Sequence, residues 1–200
     1  MRGGTPSSIR LAIAMRQRVY AGQFWSRGVV LAAGVIASLA FALPARAESR
    51  IHDGFYAAAN LGVGYVKSSG DATLSGMRSI TTPVYLWSGA TYGTVAYGVG
   101  INAEFAYTHA WLLGAALFAD IYTDPKGGFH IMPTLGWGAM FPVPYPATGL
   151  VLGVGVGYDY WVGSEVSMGV MARMTYAPLQ DSGESYTLYA PSLLYTVTYH

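Results

Sequence analysis

Eight polar side chains, Asn60, Asn102, Glu104, Asp120, His130, Asp159, Glu165 and Arg173, share one parity of a chain that alternates large apolar residues with small ones. Arg173 is the one strong base among them and faces four carboxylates. A lone charge in a narrow, dry interior is costly, so Arg173 is expected to pair, with Glu104 or Asp159 as its partner near mid-strand. The chemistry this suggests is an interior polar network that fills and rigidifies the fold. A conducting path is the competing use of the same residues, and it needs a continuous wet route past Arg173.

Catalytic and metal chemistry find less support. A nucleophile needs a base and an orienting group beside it, and the histidines available are His52, His109, His130 and His200. No G-x-S-x-G occurs and spacing singles out no serine, so neither catalytic residues nor enzyme activity is expected; a lipid hydrolase or acyltransferase, the rival reading, would need His109 or His130 within reach of a serine and an acid. Asp120 and Asp124 lack the alternating oxygen ligands of a calcium loop. Asp124-Pro125-Lys126-Gly127 reads instead as a turn, with proline setting φ and glycine accepting φ > 0. No His/Cys cluster suits zinc. The glycines of G-V-G-V-G at 153–157 follow a period of two with no helix behind them, so they make space rather than cradle a phosphate. No cofactor is expected.

The elements that must position these residues are strands. In 94–107, Val95, Tyr97, Val99, Ile101, Ala103, Phe105 and Tyr107 alternate with Thr94, Ala96, Gly98, Gly100, Asn102, Glu104 and Ala106, which gives one large apolar face and one small or polar face. The same pattern predicts strands at 54–67, 92–106, 110–122, 128–141, 149–161, 164–177 and 186–199. An eighth falls at 79–90, where Pro83 weakens the pattern, so a seven-strand count with one loop at 68–93 stays open. An even count returns the chain to the side where it began, with turns there at 90–92, 123–127 and 161–164. The opposite side then carries 68–78, 107–109, 142–148 and 178–185. Loops 68–78 and 178–185 are polar and could meet a small solute or a surface partner; PVPYP at 142–146 is a stiff apolar exception.

Composition decides which face points where. Charged residues are 10% of the chain, against about 25% in an average soluble domain, and a net charge of +1 leaves no basic stripe for nucleic acid. Lysine occurs only at Lys67 and Lys126, near strand ends. The face opposite the large apolar side chains is mostly glycine and alanine, unlike the solvated face of a soluble sandwich. A lipid-facing barrel fits better, because a membrane admits strands only when they close. Its apolar band should be flanked by aromatics, here Tyr65, Tyr107, Trp111, Tyr122, Phe129, Phe141, Tyr160, Tyr176 and Tyr199. The soluble alternative, a periplasmic lipocalin-like barrel binding a small apolar ligand, would turn Val99, Ile101, Leu152 and Val154 inward.

The front of the chain is a different object. Residues 1–47 hold six arginines and no acid, whereas residues 48–200 hold five bases and ten acids. Residues 28–43 are an apolar run that Pro44 breaks, and Ala45 and Ala47 stand where a signal peptidase reads small residues. A secretory signal peptide at 1–47 and a barrel domain at 48–200 are expected, with the start at Met1 or Met15. The chain contains no cysteine, which disfavours a disulfide-stapled scaffold.

With its last strand running from Tyr186 to His200, the chain resembles the small bacterial outer-membrane β-barrel proteins of the OmpA/OmpX-like type. In that family alternating apolar residues lead to a terminal aromatic read by the barrel-assembly machinery; here His200 follows Tyr199, so the aromatic is penultimate. DPKGGFH at 124–130, GYDYWVG at 157–163 and APSLLYTVTYH at 190–200 further resemble uncharacterised glycine-rich barrel proteins of myxobacteria. The resemblance implies the cell outer membrane as location, with its lipid and the assembly machinery as partners. The expected protein is an all-β, closed antiparallel transmembrane β-barrel of eight strands with a structural, envelope-integrity or surface-interaction role. A narrow porin-like channel is the alternative.

Overall fold

The computed structural model describes residues 52–70, 78–107, 110–141, 146–181 and 184–200. Eight strands follow one another: β1 (Gly54–Gly70), β2 (Arg78–Tyr92), β3 (Val95–Ala106), β4 (Trp111–Tyr122), β5 (Phe129–Phe141), β6 (Ala147–Trp161), β7 (Val166–Asp181) and β8 (Glu184–Tyr199). Each pairs antiparallel with its neighbours in sequence, and β8 closes on β1. The seven-strand alternative is therefore discarded.

Register sets the tilt. A path across paired residues runs Ala57, Ser88, Val99, Leu117, Leu135, Leu152, Tyr176 and Tyr189, and returns to β1 at Lys67, ten residues beyond its start. That stagger over eight strands corresponds to a strand tilt of roughly 40° and an interior that side chains can fill.

Both β1 and β8 put their outer chain ends at one rim, the near rim, together with the turns after β2, β4 and β6. The first of these turns is Gly93-Thr94, two residues beyond the expected 90–92, because β2 stays paired with β3 as far as Tyr92↔Val95. Gly93 has φ of 63°, the positive value a two-residue hairpin needs. Most of the polar stretch 178–185 is strand rather than loop: β7 and β8 remain paired out to Asp181↔Glu184, and 182–183 lie outside the described residues. Of the other far-rim connections, 71–77, 108–109 and 142–145 lie outside the described residues, and with them His109 and most of PVPYP.

The ladders are continuous except at four places, and each is at a proline. Pairing skips Pro83 on the β1 side, Pro133 on the β4 side, Pro178 on the β6 side and Pro191 on the β1 side, while the other neighbour of each stays in register. Proline has no N–H to give, and a closed barrel has no free edge on which to hide it. Pro83 thus sits inside β2 at the expense of two paired positions on its β1 side, without displacing the strand.

The large apolar side chains face outward. Val99 is 58% exposed, Ile101 48% and Val154 48%, so the soluble ligand-binding barrel, which needs them inside, is overturned. Among the described strand residues the outer face carries charge only at Lys67 and Arg78. Outward aromatics gather near the two rims, with Phe55 against Tyr199 at one, and Trp111 against Phe141 and Tyr176 against Tyr189 at the other.

Inside, side chains stack in layers. A polar layer closes the near rim. Above it lie Trp87, Phe118, Met132, Met171 and Leu194, then the level of Arg173, and finally an apolar plug around Leu112, Met140, Leu179, Tyr186 and Leu188 at the far rim.

Candidate functional site

The near-rim layer is built on inward positions of β1, β4, β5, β6, β7 and β8. Asp120 and His130 end up on neighbouring strands because β4 and β5 pair as Tyr122↔His130. His130 Nδ1 donates to Asp120 Oδ1 at 2.6 Å, and Tyr56 Oη donates to Asp120 Oδ2 at 2.9 Å. Asp159 Oδ1 accepts from Thr196 Oγ1 at 2.8 Å and lies 3.8 Å from His130 Nε2. Its other oxygen accepts from Tyr122 and Thr198, each at 3.4 Å. Both carboxylates are buried, at 0% and 2% exposure, so each is held by hydroxyl and imidazole donors in place of water.

Glycines give this layer its room. A Cβ on Gly157 would collide with the His130 ring, and one on Gly169 would collide with Asp159. Two levels up, a Cβ on Gly153 would collide with the Arg173 guanidinium and crowd Thr134. Of the alternating glycines of β6, Gly153 and Gly157 thus face bulky polar groups, and Gly155 between them faces Met171.

Two histidines outside the strands complete the layer. His52 Nε2 donates to the Gly127 carbonyl at 2.9 Å, so its Nδ1 is the acceptor in the neutral ring. That nitrogen lies 2.9 Å from His200 Nδ1, which must therefore be the donor. His200 Nε2 is left to accept from Ser167 Oγ, also at 2.9 Å. The carbonyl thus fixes a one-directional chain from Ser167 through His200 and His52 to Gly127. Burial pushes His200 down to about 3, helped by the neighbouring His52 and His130. Burial also lowers His52, against the opposing pull of the Gly127 carbonyl and of Asp159 and Asp120. Tyr122 stacks on His52 at 3.7 Å and on His130 at 5.0 Å, and Trp161 lies 5.0 Å from His52.

Ser167, His200 and His52 have the connectivity of nucleophile, base and orienter, but Ser167 is 1% exposed and packed in the stopper. Buried this way, the set acts as a hydrogen-bonded closure of the near mouth.

Arg173 departs from expectation. Among the described residues no carboxylate lies within 4.0 Å of it, so neither Glu104 nor Asp159 is its ion-pair partner. Its Nη2 donates to Thr134 Oγ1 at 2.6 Å, and its guanidinium carbon sits 4.8 Å over the Tyr85 ring and 5.6 Å from that of Trp87. Tyr85 is the intermediary: its hydroxyl donates to Glu104 Oε1 at 2.7 Å. Asp159 belongs to the near-rim layer and Glu104 to the far half, so register separates them from Arg173. Arg173 Nε and Nη1, Glu104 Oε2, Asn60 Oδ1 and Asn102 Oδ1 are buried without a protein partner.

Two further assignments are corrected. Glu165 is not interior: it lies in the turn before β7, where its carboxylate accepts from the outward Tyr199 hydroxyl at 2.6 Å. Tyr122 is not part of an outer aromatic belt, since it is 2% exposed and fills the near mouth. Tyr65, Tyr107, Trp111, Phe129, Phe141, Tyr160, Tyr176 and Tyr199 take outward positions in the strands or, for Tyr107, just beyond β3. Ala45 and Ala47 lie outside the described residues. Sequence reasoning missed the His52–His200 contact. The signal for it was the even strand count, which brings the residues flanking β1 and β8 to one rim.

No family profile and no curated protein matches the chain, so nothing supports a special closeness to the myxobacterial proteins. Among solved structures, Neisserial surface protein A is similar over 73% of this chain and 96% of its own, at 16% identity and a TM-score of 0.55. Looser likenesses are Ail, the attachment invasion locus protein of Yersinia pestis (8% identity, 73% and 99% coverage, TM-score 0.44), and the outer membrane protein OprG from Pseudomonas aeruginosa (9%, 76% and 100%, 0.41). The chain has the fold of the small eight-stranded outer-membrane barrels.

Proposed function

We propose that this chain is an outer-membrane β-barrel of the cell envelope with a structural role, exported by a leader at residues 1–47 that is removed after Ala47. One observation carries the reading: the barrel is apolar outside and filled inside. Leu61, Val63, Leu117, Leu135, Val170 and Leu193 are each more than half exposed, a surface that lipid tails cover at no desolvation cost. Inside, the stopper at the near rim, the aromatic layer and the apolar plug occupy the width that a solute would need. These layers speak against the narrow porin-like channel and against bulk solute transport. The far-rim connections are short, the last being residues 182–183 between β7 and β8. Where a long polar loop would serve adhesion, β7 and β8 stay paired out to Asp181↔Glu184, which favours envelope integrity over surface interaction. The last strand would be the segment presented to the assembly machinery.

Fractionation of the native host tests the reading. A band in the outer membrane that resists SDS and shifts on boiling supports it, as does the absence of ion conductance in a planar bilayer. Recovery as a soluble periplasmic protein overturns it, and stepwise conductance would install the channel in its place.

A further inference from the structure

Among the described strand residues the outer face carries its charge in one place. Lys67 of β1 and Arg78 of β2 are directly paired across the two strands, and both side chains are exposed on the lipid side. Like charges placed opposite each other across a strand pair repel, and among the described residues neither has a hydrogen-bond or ion-pair partner. A pair of cations with no anion among its described neighbours is suited to receive one from outside the chain.

Register sets the depth at which that anion would be found. Lys67 also pairs with Tyr189 of β8, whose ring packs against Tyr176 at 5.2 Å, so the cations stand at the level of the far-rim aromatics. Below them the outer face holds Tyr65, Val63, Leu61 and Ile80, all large and exposed. Aromatic rings mark the interface between hydrocarbon and headgroups, and long basic side chains at that level lay their stems on the apolar band and lift their charge to the phosphates. A guanidinium grips phosphate with two parallel N–H donors, while an ammonium adds a point charge.

We propose that Lys67 and Arg78 form a clamp on the outside of the barrel for the phosphate of an anionic lipid headgroup in the leaflet at the far rim. The apolar wall beneath takes the acyl chains of the same molecule, which distinguishes a lipid from free phosphate. The proposal rests on the membrane reading above, and it adds a specific ligand class to an otherwise nonspecific lipid surface.

The test uses the full barrel reconstituted into nanodiscs of phosphatidylcholine containing a minority of phosphatidic acid. Lipids retained by the protein are then read by native mass spectrometry. Wild type should retain phosphatidic acid in excess of its share, and Lys67→Gln or Arg78→Gln should each reduce that excess about fivefold, the effect of one basic residue near a charged surface. Lys126→Gln, in the near-rim turn, should leave it unchanged. Equal retention by the double variant Lys67→Gln/Arg78→Gln overturns the clamp, as does an equal loss in Lys126→Gln, which would mean bulk charge alone. Release of phosphatidic acid by an equal concentration of inorganic phosphate would overturn the lipid assignment. A protein that fails to enter the nanodisc at all overturns the membrane reading instead, whereas one that inserts without preference sinks only the clamp.

Discussion

At the near rim, Asp120 and Asp159 are met by donors from Tyr56, His130, Thr196, Tyr122 and Thr198. Midway up the same interior, Arg173 has one hydrogen bond, to Thr134, and two aromatic faces, and its Nε and Nη1 go without a protein partner. Both layers are buried in a barrel of the same width, yet one is knitted across five strands and the other leans on π faces. A buried ion whose lone pairs are met by several donors cannot lose one of them cheaply. An ion stabilised by diffuse contacts tolerates replacement by something apolar of similar length.

The sharpest test removes a key group from each layer. Asp120→Ala strands His130 and the Tyr56 hydroxyl together and should lower unfolding stability by about 3–5 kcal/mol, the usual effect of breaking a buried pair. Arg173→Met retains the stem and discards the unpartnered donors, so it should cost about 1 kcal/mol or less. Denaturant unfolding of both variants in the same detergent decides the matter. Equal losses would mean that the two layers are held in the same way and the contrast is false.

Space around the near-rim layer gives the next effect. Gly157→Ala pushes a methyl into the His130 ring, and overpacking of this kind costs about 1–3 kcal/mol. Gly163→Ala, in the turn after β6, meets nothing closer than Val166 Cβ at 3.9 Å and should change little. A comparable loss at Gly163 would assign the effect to glycine chemistry in general rather than to crowding of His130.

Much of this contrast was legible before any coordinates. Strict alternation identified the strands and which face Asp120, His130 and Asp159 share, because a period of two leaves no freedom about sides. What alternation does not carry is the stagger between strands. Glu104, Asp159 and Arg173 share the inward face yet do not meet: Asp159 falls in the near-rim layer, and Glu104 is one tyrosine ring removed from Arg173, since each crossing to the next strand shifts the level. Tyr122 was misplaced by trusting position at a strand end over parity: its even number in β4 already puts it inside with Asp120. The His52–His200 contact lies beyond every strand, where alternation gives no information and only closure of the barrel brings the two together.

That contact makes the near rim sensitive to pH. His200 is held down to about 3 and His52 below its ordinary value, both chiefly by burial. Below about pH 6.5 the unfolded chain therefore takes up protons that the folded barrel refuses, and stability falls with falling pH. His200, held to about 3, contributes up to about 1.4 kcal/mol per pH unit in that range, and His52 adds to it in the same direction. Unfolding midpoints followed between about pH 6.5 and pH 4.5, above the ordinary carboxylate range, should decline. His200→Gln, which can still accept from Ser167, should flatten the decline. A slope unchanged by that substitution would move the pH sensitivity away from the stopper.

The smallest expected effect concerns the backbone that carries both layers. Pro133→Ala restores an N–H facing the Ala119 carbonyl across the gap in the β4–β5 ladder. A backbone hydrogen bond is worth about 0.5–1.5 kcal/mol net, and losing proline's restriction of the unfolded chain costs about 0.4–1 kcal/mol. Pro133 faces the lipid side, where water is not available to satisfy the carbonyl, so the bond falls toward the upper end of its range. The net is a gain of about 0.5 kcal/mol, together with slowed hydrogen exchange at the new amide. Such a gain would show that the ladder gaps weaken the wall at places independent of the polar layers. A loss would mean that the rigid φ of Pro133 helps to set the strand path that brings His130 under Gly157.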